Sequence, residues 1–155
     1  YSEGRDDWAI HVALCVDGEP VVGAVALPAL DLVLDTSTPP QMPDAPDGLK
    51  ILVSRSRPPE VASRAAEVLG GELVGMGSAG AKTMAVVRGE AHAYVHAGGQ
   101  YEWDSAAPVA VALAAGFHVS RLDGAPMVYN QKDVYMPDLV VCRPELKDRL
   151  MAAVA

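Results

Sequence analysis

The sequence predicts a layered α/β sandwich, and three observations carry that prediction. Antiparallel strand patterns come first, within residues 8–37. Strand and helix patterns then alternate to the end of the chain, an order that stacks helices on sheets. The third observation is compositional. Half of the 155 residues are hydrophobic, yet there are only one phenylalanine, five tyrosines and two tryptophans. The layers must therefore meet through alanine, valine and leucine. A chain of this length is one ordinary domain, or one half of a larger one, and can bury a real core.

The elements follow in order. Residues 8–16, WAIHVALCV, read as a strand that turns at Asp17-Gly18 into a second strand at 20–27, PVVGAVAL. The pair forms a hairpin, and a third strand is expected at 31–37, DLVLDTS. Residues 38–49 hold four prolines and read as a loop joining two lobes. LKILVS (49–54) is a buried strand, and PPEVASRAAEVLGG is a helix with proline at its start and Gly70-Gly71 at its end. ELVG is a strand, 81–88 a helix and AHAYVH another strand. DSAAPVAVALAAG is an alanine-rich helix from Asp104 to a stop at Gly116. FHVSRL is a strand closed by the turn Asp123-Gly124. DLVVCR (138–143) is the last strand, and a helix begins at Pro144.

Charge and composition exclude several functions. A net charge of −8 argues against a nucleic-acid polymer as partner, because duplex binding relies on lysine and arginine. It leaves room for a small phosphorylated ligand neutralised by metal ions. Cys15 and Cys142 lie in apolar runs and read as buried, reduced thiols of a cytoplasmic protein. No apolar run approaches the roughly 18 residues of a membrane span. The chain opens at Tyr1 and reaches a core strand within a few residues, as expected of a processed protein or a piece of a longer one.

Three stretches carry candidate chemistry. GMGSAG (75–80) lies between a strand pattern and a helix pattern, and such a turn exposes backbone N–H groups at the positive end of a helix. A dinucleotide fingerprint would need an acid about 20 positions later. Position 100 is Gln, so the readings left are an anion-holding loop or a plain turn with small residues packed beneath a helix. Lys82, one turn into that helix, either reaches a bound phosphate or is an exposed surface lysine. In VSRSRPPE (53–60), Ser54, Arg55, Ser56 and Arg57 precede a helix and either grip a phosphate bidentately or form a solvated turn. In EWDSAAPVAVALAAG (102–116), Asp104 is expected at the N-cap of a helix whose small residues leave room above it. A carboxylate there can cap the helix and also coordinate a hard cation such as Mg²⁺. Trp103 is read as a core residue beside the cap. His11, His92, His96 and His118 have no metal-ligand spacing, so zinc is not expected. No G-x-S-x-G elbow occurs, and neither cysteine has the context of a nucleophile.

Taken together, YSEGRDDWAIHVALCVDGEPVVGAVALP, GSAGAK and VVRGEAHAYVHAGGQYEWDSAAPVAVALAAG, with LDG and YN after them, resemble the inositol monophosphatase superfamily. Within it the likeness is to the bacterial, notably mycobacterial, 3′-phosphoadenosine 5′-phosphate phosphatases of sulfur assimilation. It runs along nearly the whole chain, and WDSAAP matches the family's second signature. The first signature, an Asp-Pro-x-Asp-Gly-Thr run, would lie just upstream of Tyr1, and Tyr1-Ser2-Glu3-Gly4 matches a tetrapeptide that follows it in such proteins.

The resemblance implies the C-terminal portion of an α-β-α-β-α sandwich of the inositol monophosphatase/fructose bisphosphatase type, incomplete at the N-terminus. Residues 1–40 would close its first lobe and 41–155 would form the second. It implies Mg²⁺-dependent hydrolysis of the 3′-phosphate of 3′-phosphoadenosine 5′-phosphate to AMP, with inositol monophosphate or fructose 1,6-bisphosphate as further substrates. An inositol-1-monophosphatase and a non-catalytic interaction fragment are the alternatives. By the resemblance Asp104 is a metal ligand that also touches substrate. Ser54 and Arg57, with Ser78, Gly80 and Lys82, would hold the retained phosphate and the adenosine. Catalytic groups are expected upstream of Tyr1, so the chain alone should be inactive. Inositol-preferring relatives place an acid near the position of His96, which weakens the inositol reading. The implied partners are a small phosphorylated substrate and a second subunit in a homodimer, with no nucleic-acid polymer and no membrane.

Overall fold

In the computed structural model, residues 4–155 are described, so Tyr1, Ser2 and Glu3 of the family-like tetrapeptide lie outside the described residues. The chain first doubles back at Asp17 and Gly18, both at positive φ (51° and 85°). That turn joins β1 (Ile10–Val16) to β2 (Glu19–Leu27), and β3 (Leu32–Asp35) adds antiparallel to β2. β3 is shorter than the 31–37 expected. Asp31 before it sits in the left-handed region, and the Asp35 carboxylate accepts the Ser37 and Thr38 N–H groups, turning the chain out of the sheet. Alternation along β2 buries Gly23, Val25 and Leu27. The opposite face, with Ile10, Val12, Leu14, Val22 and Val33, is apolar and exposed.

After the proline-rich loop come β4 (Lys50–Ser54), α1 (Glu60–Leu69), β5 (Glu72–Met76), α2 (Ala79–Val87), β6 (Ala93–Tyr101), α3 (Glu102–Ala114), β7 (His118–Ser120), β8 (Tyr135–Cys142) and α4 (Lys147–Val154). The strands form one sheet in the order β5-β4-β6-β8-β7. β4 runs parallel to both neighbours, and β8 runs antiparallel to β6 and β7. α1 is amphipathic. Its Ala62, Ala65 and Ala66 join Leu150 and Val154 of α4 in a core on the outer face of this sheet. Gly70, in the left-handed conformation, ends α1 as the sequence predicts.

α2 and α3 behave differently. They are buried continuously, from Gly80 to Val87 and from Ser105 to Ala112. A helix that is apolar all round belongs inside a stack, and these two fill the space between the sheets. The layers therefore run sheet, helices, sheet, helices. The outermost helical layer of the expected five has no helix among the described residues. No described helix is long and apolar enough to cross a membrane.

Several boundaries depart from expectation. β6 does not stop at His96 but continues to Tyr101 through a bulge between Ala97 and Gln100, where Gly98 and Gly99 take φ of 80° and 76°. β7 is only three residues because Arg121 leaves the ladder to pair with Asp138. β8 starts at Tyr135 rather than 138. Both cysteines are free; Cys142 is buried, whereas Cys15 is only half-buried, facing a recess between β1 and α3.

The small residues of α3 find their use here. A Cβ on Gly23 would lie 2.7 Å from the Ala107 carbonyl oxygen and 2.8 Å from the Ala110 Cβ. Ala107 and Ala110 let α3 lie directly on β2, while Ala106 and Ala107 toward its start also border the recess that Cys15 faces. We expect Gly23→Ala to destabilise the protein by about 1–3 kcal/mol, since the helix backbone has to move. Thermal unfolding should show a fall in Tm of several degrees, and an unchanged Tm would mean the helix shifts freely.

Candidate functional site

The crossover helices α1 and α2 lie on opposite faces of the five-stranded sheet, because β5 and β6 are added on opposite sides of β4. The carboxyl end of β4 is thus a topological switch point, where open α/β sheets form their ligand crevices. Ser54 ends β4 there, and the bulge of β6 faces it. Together Ser54, Arg57, His96, Ala97, Gly98 and Gly99 line a recess of about 260 Å³.

The Ser-Arg-Ser-Arg turn is folded by its own hydroxyl: Ser54 Oγ accepts the Arg57 N–H at 3.3 Å. This carries Arg57 over the β6 bulge. Its guanidinium nitrogens would stand 3.7 and 3.8 Å from a Cβ on Gly99. Among the described residues no carboxylate pairs with the Arg57 guanidinium. Arg55 points elsewhere and pairs with Asp7.

Lys82 is buried at 5% exposure, not the surface lysine that was one of its two readings. Its Nζ donates to the Met76 carbonyl at 3.3 Å and lies 5.0 Å from the centroid of the Tyr94 ring. Burial pushes its pKa down to about 8; Asp7 and Asp104 oppose that shift, and Arg55 adds to it. Burial also lowers the pKa of His96, with the Lys82 charge adding to it, while a hydrogen bond to the Gly98 backbone and the Asp104 charge pull the other way. The buried His96 Nε2 has no hydrogen-bond partner among the described residues.

Asp104 is not the N-cap. α3 begins at Glu102 with Tyr101 as N-cap, and Asp104 is the third helical residue. Its Oδ2 reaches back to accept the Tyr101 N–H at 2.9 Å, the reciprocal half of a capping box. Trp103 is not core either. It is 62% exposed and stacks on Tyr101 with ring centroids 5.0 Å apart. As a metal site the donor set is incomplete: among the described residues no three His, Cys, Asp or Glu side chains converge. Asp104 offers one carboxylate, partly engaged by the helix cap, which by itself does not fit the six-oxygen demand of Mg²⁺.

GMGSAG is the predicted strand-turn-helix, but its first free amide is already occupied. Asp7 Oδ2 accepts the Gly77 N–H at 2.6 Å and pairs with Arg55. Ser78, at φ 50°, spends its hydroxyl on the N-cap of α2, accepting the Ala81 N–H at 3.2 Å. Gly80 is required because a Cβ there would overlap the His11 imidazole. Lys82, His96, Arg57 and Asp104 thus share one electrostatic neighbourhood, whereas the groups of Ser78 and Gly80 are consumed by local packing. Sequence reasoning missed three features. Asp7 belongs to no motif, His96 has no ligand spacing, and the Gly98-Gly99 bulge is visible only as a glycine pair.

The profile of the Inositol monophosphatase family matches residues 1–155, and the chain belongs to that family. It is 52% identical over 161 residues to the 3′-phosphoadenosine 5′-phosphate phosphatases of Mycobacterium bovis and Mycobacterium tuberculosis, covering 98% of this chain and 60% of theirs. The likeness to the 3′(2′),5′-bisphosphate nucleotidase CysQ of Escherichia coli is 26% over 142 residues, 84% of this chain and 57% of that one. The chain therefore spans about three-fifths of the length of these curated relatives. Among solved structures, CysQ from Bacteroides thetaiotaomicron superposes with a TM-score of 0.77 at 25% identity, over 89% of this chain and 63% of that one. Inositol monophosphate-bound SaIMPase-II gives 0.78 at 17% identity, over 97% and 62%, and shows the shared fold alone.

The Asp7 clasp makes a testable contribution to stability. Burial by itself would raise its pKa, but the Gly77 N–H and the Arg55 guanidinium outweigh it and hold the carboxyl below its ordinary 3.8. A depressed carboxylate stabilises the fold above its unfolded pKa and loses that stabilisation as pH falls through the folded one. Asp7→Ala should cost near the lower end of about 1.5–3 kcal/mol at neutral pH, since Arg55 is partly exposed. Denaturant titration should show the gap to the parent closing as pH falls below the ordinary 3.8. A gap independent of pH would mean Asp7 acts by packing alone.

Proposed function

We propose that this chain forms the substrate-holding half of a Mg²⁺-dependent phosphatase that removes the 3′-phosphate of 3′-phosphoadenosine 5′-phosphate, releasing AMP, in cytoplasmic sulfur assimilation. The observation that carries the reading is Arg57: a guanidinium with no carboxylate partner among the described residues, held by its own turn at the recess of the switch point. The 52% identity to mycobacterial proteins named for this activity supports it. In this reading residues 1–40 close a first lobe and 41–155 form the second, and the assembly is a homodimer.

The described residues bind and orient. Arg57 grips the 5′-phosphate that the reaction retains, since a planar fork matches two phosphate oxygens at once. Lys82 adds positive charge from beneath, protonated below its pKa of about 8. The unpartnered His96 nitrogen meets a ribose hydroxyl. Ser54 fixes the turn, while Ser78 and Gly80 shape the start of α2 under Lys82. Asp104 would offer a carboxylate oxygen to a divalent cation, which would supply charge stabilisation for phosphate release.

Two expectations follow from these roles. Arg57→Ala in the full-length protein should raise KM for 3′-phosphoadenosine 5′-phosphate about ten- to a hundredfold, with a smaller effect on kcat. The contact is made in ground state and transition state alike, and Arg57→Lys should restore only part of the loss. A KM within about twofold of the parent would make Arg57 a solvated turn residue.

Asp104→Asn separates cap from metal ligand. The amide oxygen still accepts the Tyr101 N–H, so Tm should stay near the parent value. Turnover should nevertheless fall by orders of magnitude in steady-state assays at saturating Mg²⁺. A lower Tm with full activity per folded molecule would leave Asp104 as a cap and nothing more.

A further inference from the structure

β1 carries a histidine into the helical layer, where it belongs to none of the three candidate stretches. His11 is the cross-strand partner of Val25. Opposite residues of an antiparallel pair share a face, and Val25 is wholly buried in the core between the sheets. The imidazole therefore enters the space where α2 and α3 begin.

It touches both helices, each with a different edge. Its Nδ1 lies 3.3 Å from the Trp103 carbonyl oxygen in the first turn of α3. A carbonyl oxygen only accepts, so Nδ1 carries the hydrogen of this bond. The other edge lies on Gly80 in the first turn of α2. The three atoms nearest to a Cβ built on Gly80 are Nε2, Cε1 and Cδ2 of this ring, and such a Cβ would overlap them. The ring cannot swing away from Gly80 without giving up the Trp103 carbonyl. Nε2 is buried there with no hydrogen-bond partner among the described residues. Leucine or methionine would fill the same space and leave no polar atom unpaired, so packing alone does not account for a histidine.

The two segments that it joins carry charges of the candidate site. Gly80 precedes Lys82 by two residues, and Trp103 directly precedes Asp104. Those charges already act on one another, since Asp104 opposes the fall of the Lys82 pKa.

We propose that His11 is a strut between the starts of α2 and α3. It sets the separation of Lys82 from Asp104, and so the alignment of the phosphate that is kept with the phosphate that leaves. It is a positioning residue, acting through Gly80 and Trp103 and not on the substrate. Its effect on turnover rests on the roles assigned above to Lys82 and Asp104, whereas its effect on the two helices does not.

The test combines a stability cycle, a crystal structure and kinetics, all on the full-length protein. Gly80→Ala should lower Tm by several degrees, because the added methyl group meets the ring. In the His11→Ala background the same change should leave Tm in place or raise it, since alanine is the better helix former. Crystals of His11→Ala should show the Gly80 and Trp103 backbones displaced relative to one another by about 1 Å. With 3′-phosphoadenosine 5′-phosphate, His11→Ala should lower kcat per folded molecule about tenfold or more, with KM moving less. His11→Asn, whose amide nitrogen can take the place of Nδ1, should recover part of that loss. Equal Tm losses for Gly80→Ala in both backgrounds overturn the strut, as does a His11→Ala structure with both segments in place. A His11→Ala variant with lower Tm but the parent kcat per folded molecule also overturns it, leaving His11 as packing. A parent protein that releases no phosphate from the substrate removes the proposed activity, and the strut then stands or falls on the cycle and the crystal.

Discussion

The contact on which the rest of the structure depends is the seating of α3 on β2. Gly23 and the alanines at 107 and 110 meet with no space for even one methyl group on the strand. This approach locks the three-stranded sheet to the helical layer and fixes the height of the α3 N-terminus. Asp104, Tyr101 and Trp103 all project from that end, so their positions follow from a packing contact on β2. Dispersion across such a contact is individually small but dense, and interiors packed this closely transmit displacement instead of absorbing it.

The electrostatics of the candidate site are built around two cations, Arg57 and Lys82, that pair with no carboxylate among the described residues. Arg55 is neutralised by Asp7, and Arg121 by Asp138 on the far side of β8. Arg57 and Lys82 are left to face the same region. A buried ammonium is costly, and here the Met76 carbonyl, the Tyr94 ring and the distant carboxylates offset only part of that cost. A net charge of −8 for the whole chain thus conceals a locally cationic recess. The Asp7 clasp performs the converse service, placing an internal anion on a glycine-loop amide so that the loop is held in shape without a ligand.

The exposed face of the first sheet has a different character. Val12 is 69% exposed and Val33 59%, side by side with Ile10, Leu14 and Val22 on one apolar surface. The alternation along β1 puts these residues on the side away from α3, where no helix lies among the described residues.

What the sequence determined by itself was the order and kind of the elements. Periodicity, the proline-rich loop, Gly70 and the hairpin turn at Asp17-Gly18 are local signals, and local signals are written in consecutive residues. The glycine loop opening into α2 was legible for the same reason. The burial of Lys82 was decided by tertiary structure, because the sequence shows a lysine in an apolar run but not that a second sheet covers it. The same holds for Trp103, which stacks on Tyr101 at the exposed start of α3. Asp104 moved from N-cap to third helical residue because the bulge at Gly98 and Gly99 carries β6 on to Tyr101, where the helix starts. Asp7, 70 positions before Gly77, is on the loop only because the two sheets stack. Contacts between residues so far apart are set by which layers meet, and no window along the chain contains them.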